Sequence, residues 1–424
     1  MERRGKLRIM AFAARQPQRR IYMDANATTP LLPEVFEVMR PFLLENFGNA
    51  SSIHQQGQRA RGAVDKARNA IAKLFHVKSS EIVFTSGGTE SDNLALFGVL
   101  APGDHLITTL IEHHAVLHAA EEIAKRGVEV TFLGCDAAGV ISPSALQDAF
   151  RPNTRLVSIM FANNETGVIQ PTAELAAITR AHGALFHTDA VQGAGKLEID
   201  LGPEGPLAAV DLLSLSGHKM YAPQGIGVLF VRQGVKLAPL FHGGTHERQR
   251  RAGTENVAGI VALGKAAELA AAWMAGNADP ATGGTENPAA LAELRDRLEQ
   301  GLLAQLPASG INGAGVPRTA NTTNIYFEHL EAESLVITLD LNGLSVSGGS
   351  ACQSGAAEPS HVLTAMGLPP ARARASIRIS LSRMTTEEEI DEALRMIPAA
   401  VSQLRSISKS WKAAAETSPT LATV

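Results

Sequence analysis

VDLLSLSGHK (210–219), read with ALFHTDAVQ (184–192) upstream of it, decides the fold. Each segment opens as an apolar run of strand length and ends on polar residues: Asp189 and Gln192 in one, Ser216, His218 and Lys219 in the other. Apolar runs of this length suit strands covered on both sides. Similar runs recur outward from them: EIVF (81–84), HLITTL (105–110), VEVTFL (128–133), RLVSIMFA (155–162) and IGVLFV (226–231). Between them lie amphipathic stretches such as AVLHAAEEIAKRG (115–127) and TAELAAITRAHG (172–183). Each of these ends in glycine, a common helix terminator. The alternation predicts an α/β fold with a parallel or mixed sheet, and such sheets bind ligands at the carboxyl ends of their strands.

A chain of 424 residues is long enough for two domains with substantial cores. The pattern changes after Gly264, which predicts a large domain over 21–264 and a smaller α+β domain over 265–411. The first residues of the large domain are expected to pack with the small one. In the latter, NTTNIYF (321–327) and SIRISL (376–381) read as strands, and TEEEIDEALRMI (386–397) reads as a helix capped by Thr385 or Thr386. The Arg-rich residues 1–20 are expected to form a disordered extension and 412–424 a loose tail.

A net charge of −4 without long basic runs argues against nucleic acid. No apolar run approaches the roughly 20 residues that a membrane span needs. Cys135 and Cys352 stand far apart in no CxxC spacing, which argues against a disulfide framework or zinc site and for a reducing, cytoplasmic setting.

The polar residues at the strand ends suggest a particular chemistry. A lysine on a rigid element, as Lys219 would be, can condense with a carbonyl cofactor, and a cysteine on a flexible Gly/Ser tether, Cys352 in SVSGGSACQSG (345–355), can visit a substrate. TSGGTESDN (85–93) follows a strand and opens a helix, so Gly88 and Thr89 can offer donors to a phosphate, although Gly-Gly there is also an ordinary turn. Ser216 and His218 can complete that cradle. Asp189 either caps the following helix or holds a proton on a pyridine nitrogen, the electron sink of pyridoxal phosphate. Gln192 can reach the ring's phenolic oxygen. His113 is either structural or stacks on the ring, and Asn164 in MFANNETG (160–167) can hold cofactor and substrate.

The chain resembles the cysteine desulfurases of the NifS/IscS type, which are fold-type I pyridoxal phosphate enzymes. The resemblance spans residues 21–411 through DANATTP (24–30), FGNASSIH (47–54), FTSGGTESDN (84–93), EHHAVL (112–117), NNETG (163–167), HTDAVQ (187–192), SGHK (216–219), ERQRRAGTEN (247–256), SGGSACQSG (347–355), EPSHVL (358–363) and SIRISLSRMTTEEEID (376–391). It implies that Lys219 bonds the cofactor, Asp189 and Gln192 hold its ring nitrogen and oxygen, and His113 stacks on it and moves protons. Gly88, Thr89, Ser216 and His218 would hold the phosphate. Thr254 would reach it from a second subunit, implying a homodimer. Arg378 would bind the substrate carboxylate, which suits a bidentate guanidinium.

The resemblance also implies the reaction: sulfur passes from L-cysteine to Cys352, alanine leaves, and an iron–sulfur scaffold accepts the sulfur, with Cys352 as a transient cluster ligand. Ala25, Thr245 and Gln353 depart from the family's usual residues without removing a group that this chemistry needs. The tail RSISKSW (405–411) looks closer to the nitrogenase-associated branch, and the long loop around Cys352 resembles the mobile-loop subgroup. Cys135 reads as a structural thiol. A selenocysteine lyase, an aminotransferase or a non-catalytic assembly partner are the alternative readings.

Overall fold

The computed structural model describes residues 20–278, 284–348 and 359–417, with side chains through 413. A two-residue strand β1 (Ile21–Tyr22) comes first. The strands β2 (Ile82–Thr85), β3 (His105–Thr109), β4 (Glu129–Leu133), β5 (Thr154–Ser158), β6 (Leu185–Asp189), β7 (Leu212–Ser216) and β8 (Gly227–Val231) then form one sheet. Its order is β2-β8-β7-β6-β5-β3-β4. From β4 to β7 every pairing is parallel, whereas β8 runs antiparallel to both β7 and β2.

Because side chains alternate along a strand, neighbouring residues feed two different layers. Ile107, Val157, Leu213 and Val228 join one apolar cluster. Leu106, Leu156, Leu212 and Leu229 join the other. This double burial is why the strands read as continuous apolar runs.

A second sheet, order β12-β10-β9, is antiparallel and built from β9 (Ser309–Ile311), β10 (Thr322–Phe327) and β12 (Ser376–Ser380). The remaining strand, β11 (Leu344–Ser345), pairs in parallel with β1. Thus Ile21 and Met23 lie in the same core as Leu298, Ile325, Phe327, Ile379 and Ile397. The helix Glu387–Ile407 packs on this core and starts with a reciprocal cap between Thr386 and Glu389.

The helix Val257–Met274 runs through position 264 without a break. Its Ala266, Ala267 and Ala270 belong to the large core, and Trp273 to the small one. A Cβ at Gly264 would stand 2.7 Å from Ala67 Cα, so glycine is what lets this helix lie against Gln55–Leu74. Among the described residues it is the one helix long and apolar enough to cross a membrane, and more than half of it is buried inside the molecule.

Residues 412–417, expected to be loose, are instead helical as part of Lys409–Thr417, and 418–424 lie outside the described residues. Trp411 anchors that turn: it is buried, and the Arg405 guanidinium sits 4.1 Å from its ring centre. Of the expected disordered extension, Arg20 alone is described, and it pairs with Asp340.

Candidate active site

A cavity of about 330 Å³ opens at the carboxyl ends of β5, β6 and β7. It is lined by Lys219, Asp189, Gln192, His113, Asn164, Gly88, Thr89, Ser216, His218 and Arg378, ten of the residues singled out from the sequence.

Lys219 is placed by a tight turn. β7 ends at Ser216, and the chain folds through Gly217–Lys219. A Cβ at Gly217 would come within 2.8 Å of Ile226 Cγ2, so the turn needs glycine to close against β8. Lys219 Nζ donates to the carbonyls of Asn26 and Ala27, 2.6 Å from each.

Asp189 is the last residue of β6, and its Oδ1 accepts the Val191 N–H at 2.9 Å. Burial pushes its carboxyl up to about 6, against the pull of that hydrogen bond and of Lys219. Asp92, on the helix Gly88–Val99, also lines the cavity, and burial together with Asp189 holds it well above the usual carboxylate range. Its Oδ1 is buried without a hydrogen-bond partner. Below these two, burial raises Glu112 to about 8, while its Oε1 accepts Met160 N–H and the Thr109 hydroxyl. His187 links β5, β6 and β7 by contacting Ser158 Oγ at 2.8 Å and Ser214 Oγ at 3.0 Å.

His113 caps the helix His114–Ala124, its Nδ1 accepting the Ala115 N–H at 3.1 Å. Burial and then the neighbouring His114 and Lys219 lower its pKa to about 4. In the resulting neutral ring an accepting Nδ1 puts the proton on Nε2. His218 is likewise lowered to about 4 by burial and Lys219, and its Nδ1 meets Thr28 Oγ1 at 3.1 Å.

Arg378 comes from β12, so the small sheet supplies the cavity's guanidinium. Its Nη2 donates to Asp24 Oδ1 at 2.7 Å and its Nη1 to the Asn164 carbonyl at 3.1 Å, while Nε is buried without a partner.

Two expected residues are not among these. Thr254 lines a separate cleft with Ser86, Glu247 and Arg251, so one chain alone does not bring it to Lys219. Cys352 lies outside the described residues. The chain on either side of it is tied to the site: Ser347 exchanges two backbone hydrogen bonds with Arg378, Ser360 Oγ donates to Glu165, and His361 lines the cavity.

Sequence reasoning missed Asn26, Lys196, Asp92 and His361. Asn26 is a hub, its amide nitrogen donating to Asn164 O and Thr322 Oγ1 and its Oδ1 accepting from Asn321. It sat in the quoted DANATTP segment, but only tertiary contact gives it a role. Lys196 offered the signal of a four-residue spacing from Gln192.

The family model for aminotransferase class V matches residues 21–393. The chain belongs to the class-V aminotransferase family. Among its relatives in that family, "Cysteine desulfurase IscS" of Methanosarcina thermophila is 48% identical over 392 residues, covering 92% of this chain and 93% of that protein. A solved "NifS-like protein" superposes with a TM-score of 0.81 at 36% identity, covering 91% of this chain and all of that one. A second solved structure, "SspA in complex with cysteine", gives 0.74 at 36% identity, covering 86% of this chain and all of that one. The class-V aminotransferase fold is generally a pyridoxal phosphate scaffold, and the donor set here fits that group. A buried carboxyl at Asp189, the helix start at Gly88 and Thr89 beside Ser216, and Arg378, whose buried Nε makes no hydrogen bond, line one cavity.

Proposed function

We propose that the chain is a pyridoxal phosphate-dependent cysteine desulfurase. The observation that carries this is the meeting of Lys219, Asp189 and Arg378 in one buried cavity. The identity to proteins named cysteine desulfurases, 43–48% over more than nine-tenths of the chain, supports it.

Bound pyridoxal phosphate would supply the carbonyl that takes an amine and the ring that accepts the electron pair of a broken bond. Gly88, Thr89, Ser216 and His218 would hold its phosphate, Asp189 its ring nitrogen and Gln192 its phenolic oxygen, with His113 against the ring. Thr254 of a second copy would complete the phosphate site in a homodimer.

For the substrate, Arg378 and Asn164 would bind the carboxylate of L-cysteine, in a pocket dry enough to strengthen that contact. The Lys219 amine, once free, would carry the α-proton at Nζ. His113 Nε2 is the second proton carrier facing the cavity. Cys352 Sγ, as thiolate, would then take the substrate sulfur: the Cβ–S bond breaks, an S–S bond forms, and the bonding pair stays with Cβ, which is protonated as alanine departs. The resulting persulfide would pass to an acceptor such as an iron–sulfur scaffold, in a reducing compartment that keeps Cys352 free.

The test is release of alanine and sulfide from L-cysteine in the presence of a thiol reductant, with cofactor absorbance recorded in the same sample. Wild type is expected to turn over, and Cys352→Ala to fall to background while keeping its colour. Undiminished sulfide release by Cys352→Ala would refute the acceptor role.

A further inference from the structure

Lys196 plays no part in the chemistry above, yet it is buried to 9% exposure beside the cavity. Its Nζ donates to Gln192 Oε1 at 2.8 Å and reaches Asn26 Oδ1 at 3.5 Å. Gln192 Nε2 in turn donates to the Asn26 carbonyl at 3.1 Å, the oxygen that also accepts Lys219 Nζ. Among the described residues no carboxylate forms a salt bridge with Lys196, and the charges that act on it are the cations Lys219 and Arg378. Burial and these cations lower its pKa to about 7.

A cation without a carboxylate partner in such a place is costly, and an aliphatic side chain of the same length would avoid the cost. What the amine provides is direction. The two ends of a glutamine amide have nearly the same shape, and their hydrogen-bond partners decide which way it faces. The Asn26 carbonyl, which also accepts Lys219 Nζ, holds the amide from one side. Lys196 holds it from the other, since charged or neutral it keeps an N–H for Oε1.

We propose that Lys196 is a positioning residue that sets the Gln192 amide, so that an N–H and not the C=O faces the ring oxygen of the bound cofactor. This rests on the pyridoxal phosphate reading and adds a residue to it. Without Lys196 the amide is free to turn, and two acceptor oxygens would then face each other.

Two variants separate direction from packing. Lys196→Met keeps length without a donor, whereas Lys196→Gln keeps an N–H without the charge. In cofactor-free protein carrying ¹⁵N-glutamine, the Gln192 side-chain amide protons are expected to exchange roughly tenfold faster in Lys196→Met than in wild type, and at the wild-type rate in Lys196→Gln. In the holoenzyme, Lys196→Met is expected to shift the visible absorption band and weaken pyridoxal phosphate binding by about tenfold, with Lys196→Gln within about threefold of wild type. Equal exchange in Lys196→Met and wild type would overturn the proposal, as would Lys196→Gln behaving like Lys196→Met. Should Lys196→Met not fold, Lys196→Gln decides: faster exchange there overturns the proposal, and wild-type exchange with an unshifted band supports it. Wild-type protein that takes up no pyridoxal phosphate would sink the functional reading alone, because the amide exchange still judges Lys196.

Discussion

Glu112 shows how much of this site depends on single side chains. A carboxyl that ordinarily titrates near 4.5 is raised to about 8, so between those values the folded chain holds a proton that the unfolded chain has released. Stability contributed by that proton is present at low pH and lost as pH rises through the window. His113 and His218, lowered to about 4, act in the opposite sense, as the unfolded chain takes up protons below its histidine pKa. Glu112→Gln isolates the carboxyl: an amide oxygen can still accept from Met160 N–H and Thr109, and no proton is gained or lost. The variant is expected to lose less stability than wild type between about pH 5 and about pH 8, read by urea unfolding at both. Parallel losses would show that Glu112 titrates normally. Lys219 and Asp189 were legible in the sequence because each ends an apolar run, although Asp189 could equally have been a helix cap, and Arg378 was legible only through the family resemblance. Glu112, Asn26 and Lys196 were not, since their meaning lies in contacts between side chains as far as 296 residues apart.

At the scale of elements, the strands were readable because burial on both faces leaves an apolar run that periodicity detects. The small-domain helix was readable from its cap. There Thr386 Oγ1 accepts Glu389 N–H at 3.4 Å, and Glu389 Oε2 accepts Thr386 N–H at 3.3 Å. Thr386→Ala is expected to cost about 1 kcal/mol of stability in denaturant unfolding, with cofactor affinity unchanged. A change in affinity would mean that this helix end steers the site. The terminal helix was not readable. Its alanines carry no clear pattern, and what fixes its start is Trp411 finding Arg405, a contact invisible to local reading. The extra antiparallel strand β8 was legible as a strand but not in direction, because direction depends on the length and path of the turn after Lys219.

For the whole molecule, the separation of Thr254 from Lys219 matters most, because a site completed by a second copy would divide its functions between chains. If the dimer is built so, Lys219→Ala and Thr254→Ala subunits fail separately and complement each other. Each mixed dimer then contains one intact site, so random reassortment is expected to restore about a quarter of wild-type activity. No gain on mixing would place Thr254 outside the partner's site. From the sequence, a boundary was expected after Gly264. The packing of the first residues on the small core was expected, whereas the helix that runs on past Gly264 and joins both cores is a product of packing that no local pattern encodes.

The N-terminal segment that follows β1 also sets a clock on the ribosome. The backbone N–H groups of Ala25 and Asn26 bond to Ser380, which emerges some 354 residues later. At roughly 5–20 residues per second, synthesis leaves Asn26 without that partner for about 20–70 s, long after the central sheet is complete. The carbonyls that hold Lys219 are therefore among the last parts to settle, and a nascent chain stalled before β12 would contain the whole large sheet without a lysine in its working posture.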